Sequence, residues 1–180
     1  MPDLLSQTFE NWQTFYFLIG GAAAGLVGLT FVAITVGSGV IGKQEIGGLR
    51  TFVNPTLIHF IYVLVTASVV VMPTVTRMQL GILLVLAGLV SSGRALISLP
   101  FMWQQYKRRI VDMHDWGWYF LAPLAGYLIY IGTGTGLLLG TGWALDGLAW
   151  ASILLLVAGI RNTWDMVLWF MLNKKEPPQQ

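Results

Sequence analysis

Long apolar runs dominate this sequence of 180 residues and restrict the folds that it can adopt. A helix needs about 20 mostly apolar residues to cross the hydrocarbon core of a bilayer, since each residue advances it by only about 1.5 Å. Only 10% of the residues are charged, against about 25% in ordinary soluble domains. The sequence therefore predicts an all-α membrane protein, a bundle of five transmembrane helices. The predicted spans are residues 15–37, 56–72, 80–99, 118–139 and 148–172.

The connections between these runs are too short to hold a soluble domain, so residues 1–180 are predicted to form a single transmembrane domain. The second connection is only a few residues around Pro73 and Arg77, which predicts that the second and third spans form a tight antiparallel hairpin. Residues 1–14 contain no basic residue and no cleavage pattern follows them, which indicates that the first span is retained rather than removed as a signal peptide. The chain has no cysteine, which excludes disulfides, thiolate catalysis and iron–sulfur ligation.

The basic residues predict the orientation of the bundle. Seven lysines and arginines fall in the first loop, the third loop and the C-terminal tail, which share one side of a five-span chain. Only Arg77 falls on the other side. Because cytoplasmic loops carry an excess of lysine and arginine, we expect the N-terminus outside, the C-terminus in the cytoplasm, and a location in the cell inner membrane.

Several ionisable or amide side chains interrupt the apolar runs. Arg161 and Asp165 lie one helical turn apart in the last run, and each costs about 2.5–3.5 kcal/mol at a bilayer centre. Counted along their helices, these groups fall in the third of the membrane nearest the cytoplasm. We define them as the inner polar layer and expect them to converge: His59, Arg94, Arg161, Asn162 and Asp165.

Two interpretations of the inner polar layer remain open. Its members could pair with one another and hold helices together, either as an Arg94–Asp165 bridge between spans or as an Arg161–Asp165 pair within one helix. Alternatively, they could line a hydrated path or a site for an anion or a lipid headgroup.

Small residues form two further patterns. One helical face of the first span carries Gly21, Ala24, Gly25 and Gly28, a stripe that lets another helix approach closely, either within the protomer or between protomers. The fourth span ends in IGTGTGLLLGTGW. Its alternating glycines invite comparison with a carbonyl filter, but close packing or a frayed end is the simpler interpretation.

The sequence lacks most motifs that are typical of soluble enzymes. No glycine-rich phosphate loop opens a helix, and no nucleophile stands beside a marked base, so we predict that the chain is not an enzyme. Asp112, His114 and Asp115 fit a solvated helix start better than a metal site, and we expect neither a metal nor a cofactor. Lys107, Arg108 and Arg109 are placed to bind anionic lipid headgroups rather than nucleic acid.

The segments FYFLIGGAAAGLVGLTFVAI and IRNTWDMV resemble small, uncharacterised multi-pass membrane proteins of bacteria. The resemblance implies a helical membrane protein but no particular activity or site residue.

A chain without a soluble domain must act within the membrane. We therefore expect a homo-oligomeric, channel-like conduit for small ions or anions. The alternatives are a non-conducting accessory or scaffold subunit of another membrane complex and, as a third, a haem or quinone redox subunit, in which His59 and His114 could ligate the haem iron.

Overall fold

The computed structural model describes the backbone of residues 4–38, 46–107 and 116–172, and the side chains of residues 12–36, 56–100, 116–168 and 171. All regular structure in these ranges is helical. The helices are α1 (Leu4–Ser38), α2 (Ile46–Val71), α3 (Arg77–Lys107), a π-helical turn (Gly117–Leu121), α4 (Ala122–Leu139) and α5 (Ala144–Leu172).

Four of these helices contain segments that are long and apolar enough to cross a membrane: Trp12–Val36, Arg77–Pro100, Gly117–Leu139 and Ala144–Leu168. The described side chains of α2 add a shorter apolar segment, Thr56–Val71. The predicted helical bundle is thus confirmed at this level, and the chain has the character of a multi-pass integral membrane protein.

Two antiparallel helix pairs make up most of the bundle. In the first pair, α1 packs along α2, so that Gly20 faces Ala67 near one end. In the second pair, α3 packs along α4 with the backbones in close approach, since a methyl group at Gly134 would lie 2.7 Å from the Gly81 carbonyl oxygen. Glycine is required at Gly134 because any side chain there would meet the backbone of α3.

Helix α5 joins the two pairs, packing against α4, α2 and α1. Leu155 of α5 fills the space in front of Gly126, and Phe60 of α2 fills the space in front of Gly159. Because α5 contacts both pairs, its inward face is the centre of the buried core.

The connection between α2 and α3 is short, as predicted, but the two helices do not pack along their length as a hairpin. Their preferred partners lie elsewhere, because the glycines of α3 bring it onto α4 while α2 packs on α1 and α5. The divergence leaves a groove of about 250 Å³ beside the exposed side chains of Ile61 and Val65. The groove is lined by Ile61, Tyr62, Val65, Thr66, Leu83 and Ala87.

The fourth span begins with an irregular turn. The Ala122 N–H bonds the Gly117 carbonyl oxygen, five residues back, and the α-helix proper starts only after this π-helical turn. Pro123 explains the widening, because its ring has no N–H and would clash with the carbonyl four residues earlier in a regular helix. At the other end, Gly140 stops α4 in a left-handed conformation with φ = 78°, beside the guanidinium of Arg77.

Candidate functional site

Polar side chains of α2, α3 and α4 meet in the interior of the bundle. Apart from Tyr62, which is partly buried, all of them have less than a tenth of their surface exposed. We call this group the polar column: His59, Tyr62, Thr66, Ser91, Tyr127 and Tyr130.

The column consists of three hydrogen-bonded pairs. His59 Nδ1 lies 2.8 Å from the Tyr127 hydroxyl, and the Thr66 hydroxyl lies 3.0 Å from that of Tyr130. Between them, the Ser91 hydroxyl bonds the Tyr62 hydroxyl, which also donates to the Ala87 carbonyl oxygen at 3.4 Å. The column therefore bridges α2 to both α3 and α4, although the backbone of α2 makes few close contacts with either helix.

Aromatic rings fill the space around these hydroxyls. The ring centroid of Tyr62 lies 5.5 Å from that of Tyr127 and 6.3 Å from that of Tyr130, and the His59 ring lies 6.0 Å from Tyr127. At these separations the rings are in van der Waals contact, so the column is a packed core and not an open pore.

Asn162 of α5 lies at the same level as His59. Gly159 and Met166, on either side of Asn162 along α5, face Phe60 and Leu57 of α2, and His59 lies between those two positions. Asn162 is 2% exposed, and within the described part of the chain neither its Nδ2 nor its Oδ1 has a hydrogen-bond partner.

Other buried polar atoms share this condition. Leaving a buried donor or acceptor without a partner costs about 1–3 kcal/mol, and native proteins carry few such groups. Among the described residues, the further buried atoms without a protein partner are His59 Nε2, Ser92 Oγ, Trp116 Nε1 and Thr133 Oγ1.

The inner polar layer separates into distinct parts. His59 and Asn162 are buried on facing helices, whereas Arg161 and Asp165 form an ion pair on α5, with 39% and 25% of their side chains exposed. The Arg161 Nε donates to Asp165 Oδ2 at 3.3 Å, and the Tyr119 hydroxyl donates to the same oxygen at 3.3 Å. The same-helix pair is thus observed in place of the Arg94–Asp165 bridge.

Arg94 does not join the other members of the layer. Its side chain is exposed on α3, between the exposed neighbours Val90 and Ile97. An arginine near the end of a span can extend toward the headgroups, and this position suits that behaviour better than it suits a shared anion site with Arg161.

The small-residue stripe of α1 faces away from the bundle. A methyl group placed on Gly21, Gly25 or Gly28 would meet nothing within 4 Å, and Ala24 is exposed. Among the described residues, the stripe therefore packs against no other helix of its own chain. In α4, by contrast, Gly134 and Gly136 are packed, as expected from the simpler interpretation of that run.

The sequence indicated only part of this site. His59, Tyr62 and Thr66 follow a helical stripe that the sequence places on one face of α2, but Tyr127 and Tyr130 were missed. Their spacing, three residues apart and followed by Thr133, was the available signal. The candidate headgroup contacts at Lys107, Arg108 and Arg109, and the acidic and histidine residues Asp112, His114 and Asp115, lie outside the described side chains.

No protein-family model matches this chain, and no curated protein or solved structure is significantly similar to it. The basis for assigning a function is therefore the geometry of the polar column itself.

Proposed function

We propose that this protein is a five-crossing membrane protein of the cell inner membrane that acts as a channel-like conduit for small ions. The observation that carries the proposal is the buried polar column, in which His59 Nε2 has no partner among the described residues, together with the unpaired amide of Asn162 at the level of His59. Buried polar atoms without protein partners are costly. Their retention inside a membrane bundle is typical of sites that hold water or pass ions.

The path runs through the protomer rather than between protomers. The polar groups of α2, α4 and α5 point inward, while the outward surface is dominated by large apolar side chains. An oligomer is thus not needed to enclose the path, although the exposed stripe of α1 gives each protomer a face on which a second copy can pack. We retain the homo-oligomer as part of the proposal.

The proposed orientation places the N-terminus outside and the C-terminus in the cytoplasm. The start of the apolar segment of α1 and the first turn of α5 lie at the same end of the bundle, because the Tyr16 hydroxyl donates to the Leu145 carbonyl oxygen at 2.9 Å. Met166 packs near Ala33 and Ile34, which brings the later parts of the same two helices together at the other end. Parallel first and last helices support an odd number of crossings, and the lysine and arginine bias supports the direction.

Ion flux into liposomes tests the proposal. The purified protein is reconstituted, and efflux of K⁺ and Cl⁻ and uptake of protons are recorded separately. We expect flux of at least one of these ions above that of protein-free vesicles, and its loss in Asn162→Leu, which removes the buried amide. Thr163→Val is the matched control, because the Thr163 hydroxyl bonds its own helix at the Gly159 carbonyl oxygen. Absence of flux for all three ions would contradict the proposal.

A second candidate is an accessory subunit that docks on another membrane protein through α1. The outward position of Gly21, Gly25 and Gly28 favours it, since a smooth helix face is suited to close helix packing. Cross-linking in native membranes, followed by purification under mild conditions, distinguishes the two. A stoichiometric foreign subunit favours the accessory role, and homo-oligomers alone favour the conduit.

A further inference from the structure

We infer that the ion carried by the polar column is the proton, relayed between side chains by His59 and Tyr127. This inference rests on the proposed conduit function and names the species that the same site would pass.

The packing of the column is the first argument. The Tyr62 ring lies against the rings of both Tyr127 and Tyr130, with centroids 5.5 and 6.3 Å apart. A K⁺ or Cl⁻ ion crosses a protein only where its hydration shell fits or where a ring of ligands replaces that shell. The stacked aromatic rings provide neither, whereas a proton moves along hydrogen bonds without needing a gap between side chains.

The chemistry of the linked groups is the second argument. A neutral imidazole has one nitrogen that donates and one that accepts, and each hydroxyl both donates and accepts. The described column contains no permanently charged group that would trap or repel a proton. Its three pairs, His59–Tyr127, Tyr62–Ser91 and Thr66–Tyr130, lie along α2 from His59 to Thr66, a rise of about 10 Å at 1.5 Å per residue.

The free nitrogen of His59 supplies the entry step. Nδ1 is engaged by the Tyr127 hydroxyl, and Nε2, which is buried and has no partner among the described residues, points away from that bond. A proton bound at Nε2 makes the ring cationic. The Nδ1 proton then passes to the Tyr127 oxygen while Tyr127 gives its own hydroxyl proton to the hydroxyl of Tyr62, whose ring packs against that of Tyr127. The ring returns to neutral, and a flip restores the starting tautomer.

A carboxylate stands at the cytoplasmic end of the same route. Asp165 is partly exposed and accepts hydrogen bonds from Arg161 and Tyr119, while Asn162 lies one turn before it on α5, at the level of His59. Asp165 lies on the solvent side of this route, and the Asn162 amide can hold a water molecule that carries a proton toward Nε2. Arg94, one turn beyond Ser91 on α3, has an exposed side chain.

Proton uptake under an imposed membrane potential tests the relay. Liposomes carry a pH-sensitive dye, and a K⁺ gradient with valinomycin drives protons inward through the reconstituted full-length chain. Cl⁻ and K⁺ fluxes are measured in parallel without valinomycin. We expect proton uptake in the unmodified protein and at least a tenfold lower rate in His59→Gln and in Tyr127→Phe. The glutamine still bonds the Tyr127 hydroxyl, and the phenylalanine keeps the ring packing.

Tyr16→Phe is the matched control for loss of a buried tyrosine hydroxyl, because the Tyr16 hydroxyl donates to the Leu145 carbonyl oxygen and not to a member of the column. We expect its proton uptake to stay within twofold of the unmodified protein.

Unfolding temperatures of all variants identify any loss of fold, and Tyr127→Phe stands as the test if His59→Gln fails to fold. Proton uptake that persists in Tyr127→Phe would overturn the relay. Flux of Cl⁻ or K⁺ without proton uptake would overturn the relay and leave the conduit in place, while no flux of any ion would overturn both.

Discussion

Asn162 carries an unmet hydrogen-bonding demand at two atoms, and this distinguishes it from the other buried polar residues of the described chain. Thr66 and Ser152 are also buried, yet the hydroxyl of each bonds a carbonyl oxygen of its own helix. A hydroxyl can satisfy itself within a helix in this way, whereas an amide side chain needs partners from elsewhere. The unpaired amide of Asn162 therefore lowers the stability of the fold, and we infer that it serves a purpose other than packing.

Asn162→Leu should therefore stabilise the fold while it removes conduction. Leucine has a similar size and no polar atoms, so the penalty of about 1–3 kcal/mol for the unpaired amide is relieved. Thermal unfolding in detergent, followed by the fluorescence of the eight tryptophans, measures the effect. Thr66→Val is the opposing control, since it breaks the bond to Tyr130 and should cost about 0.5–1.5 kcal/mol. A lower unfolding temperature for Asn162→Leu would mean that the amide has a stabilising partner.

At the scale of the helices, glycine placement decides which elements touch. A methyl group at Gly88 would lie 2.8 Å from the Tyr127 carbonyl oxygen, and one at Gly134 would lie 2.9 Å from the Val85 nitrogen. These contacts bring α3 onto α4 along much of their length. The tyrosines of α4 are consequently held at the depth where the side chains of α2 can reach them.

Gly134→Ala should destabilise the α3–α4 pair by about 1–3 kcal/mol, the usual cost of overpacking, because its new methyl group would meet backbone atoms that cannot rotate away. Gly132→Ala is the matched control on the same helix, since nothing lies within 4 Å of its added carbon. It should be neutral or should stabilise by up to about 1 kcal/mol through helix propensity. Equal unfolding temperatures for the two variants would contradict the close approach of α3 and α4.

The predictable and unpredictable parts of the fold have different physical origins. Span limits such as 118–139 follow from apolar length, and the π-helical turn and α4 together occupy Gly117–Leu139. The partner of each helix does not follow, because both the lipid-facing and the protein-facing sides of a membrane helix are apolar. That is why Tyr127 and Tyr130 were not connected to His59, and why α2 and α3 were expected to form a hairpin. The contact between Arg161 and Asp165 was easier to predict, since both residues lie on one helix.

At the scale of the whole molecule, the parallel directions of α1 and α5 place Leu4 and Leu172 at opposite ends of the bundle. Because the chain contains no cysteine, single cysteines can be introduced without background labelling. Ser6→Cys should react with a membrane-impermeant maleimide added outside intact cells, and Gln180→Cys should react only after the membrane is opened. Labelling of both from the same side would contradict an odd number of crossings.

The exposed stripe of α1, which packs against no described helix of its own chain, is the proposed interface between copies. Gly25→Leu places a large side chain on that stripe without touching the described core, because no atom lies within 4 Å of the glycine. We expect this change to convert oligomers to monomers in mild detergent, as measured by light scattering, with no loss of unfolding temperature. Gly132→Leu presents the same side chain on the exposed surface of α4 and should leave the oligomer intact. If Gly25→Leu remains oligomeric, α1 is not the interface between copies. If both variants dissociate, the added side chain itself disrupts assembly wherever it is placed, and the assignment of the interface to α1 fails.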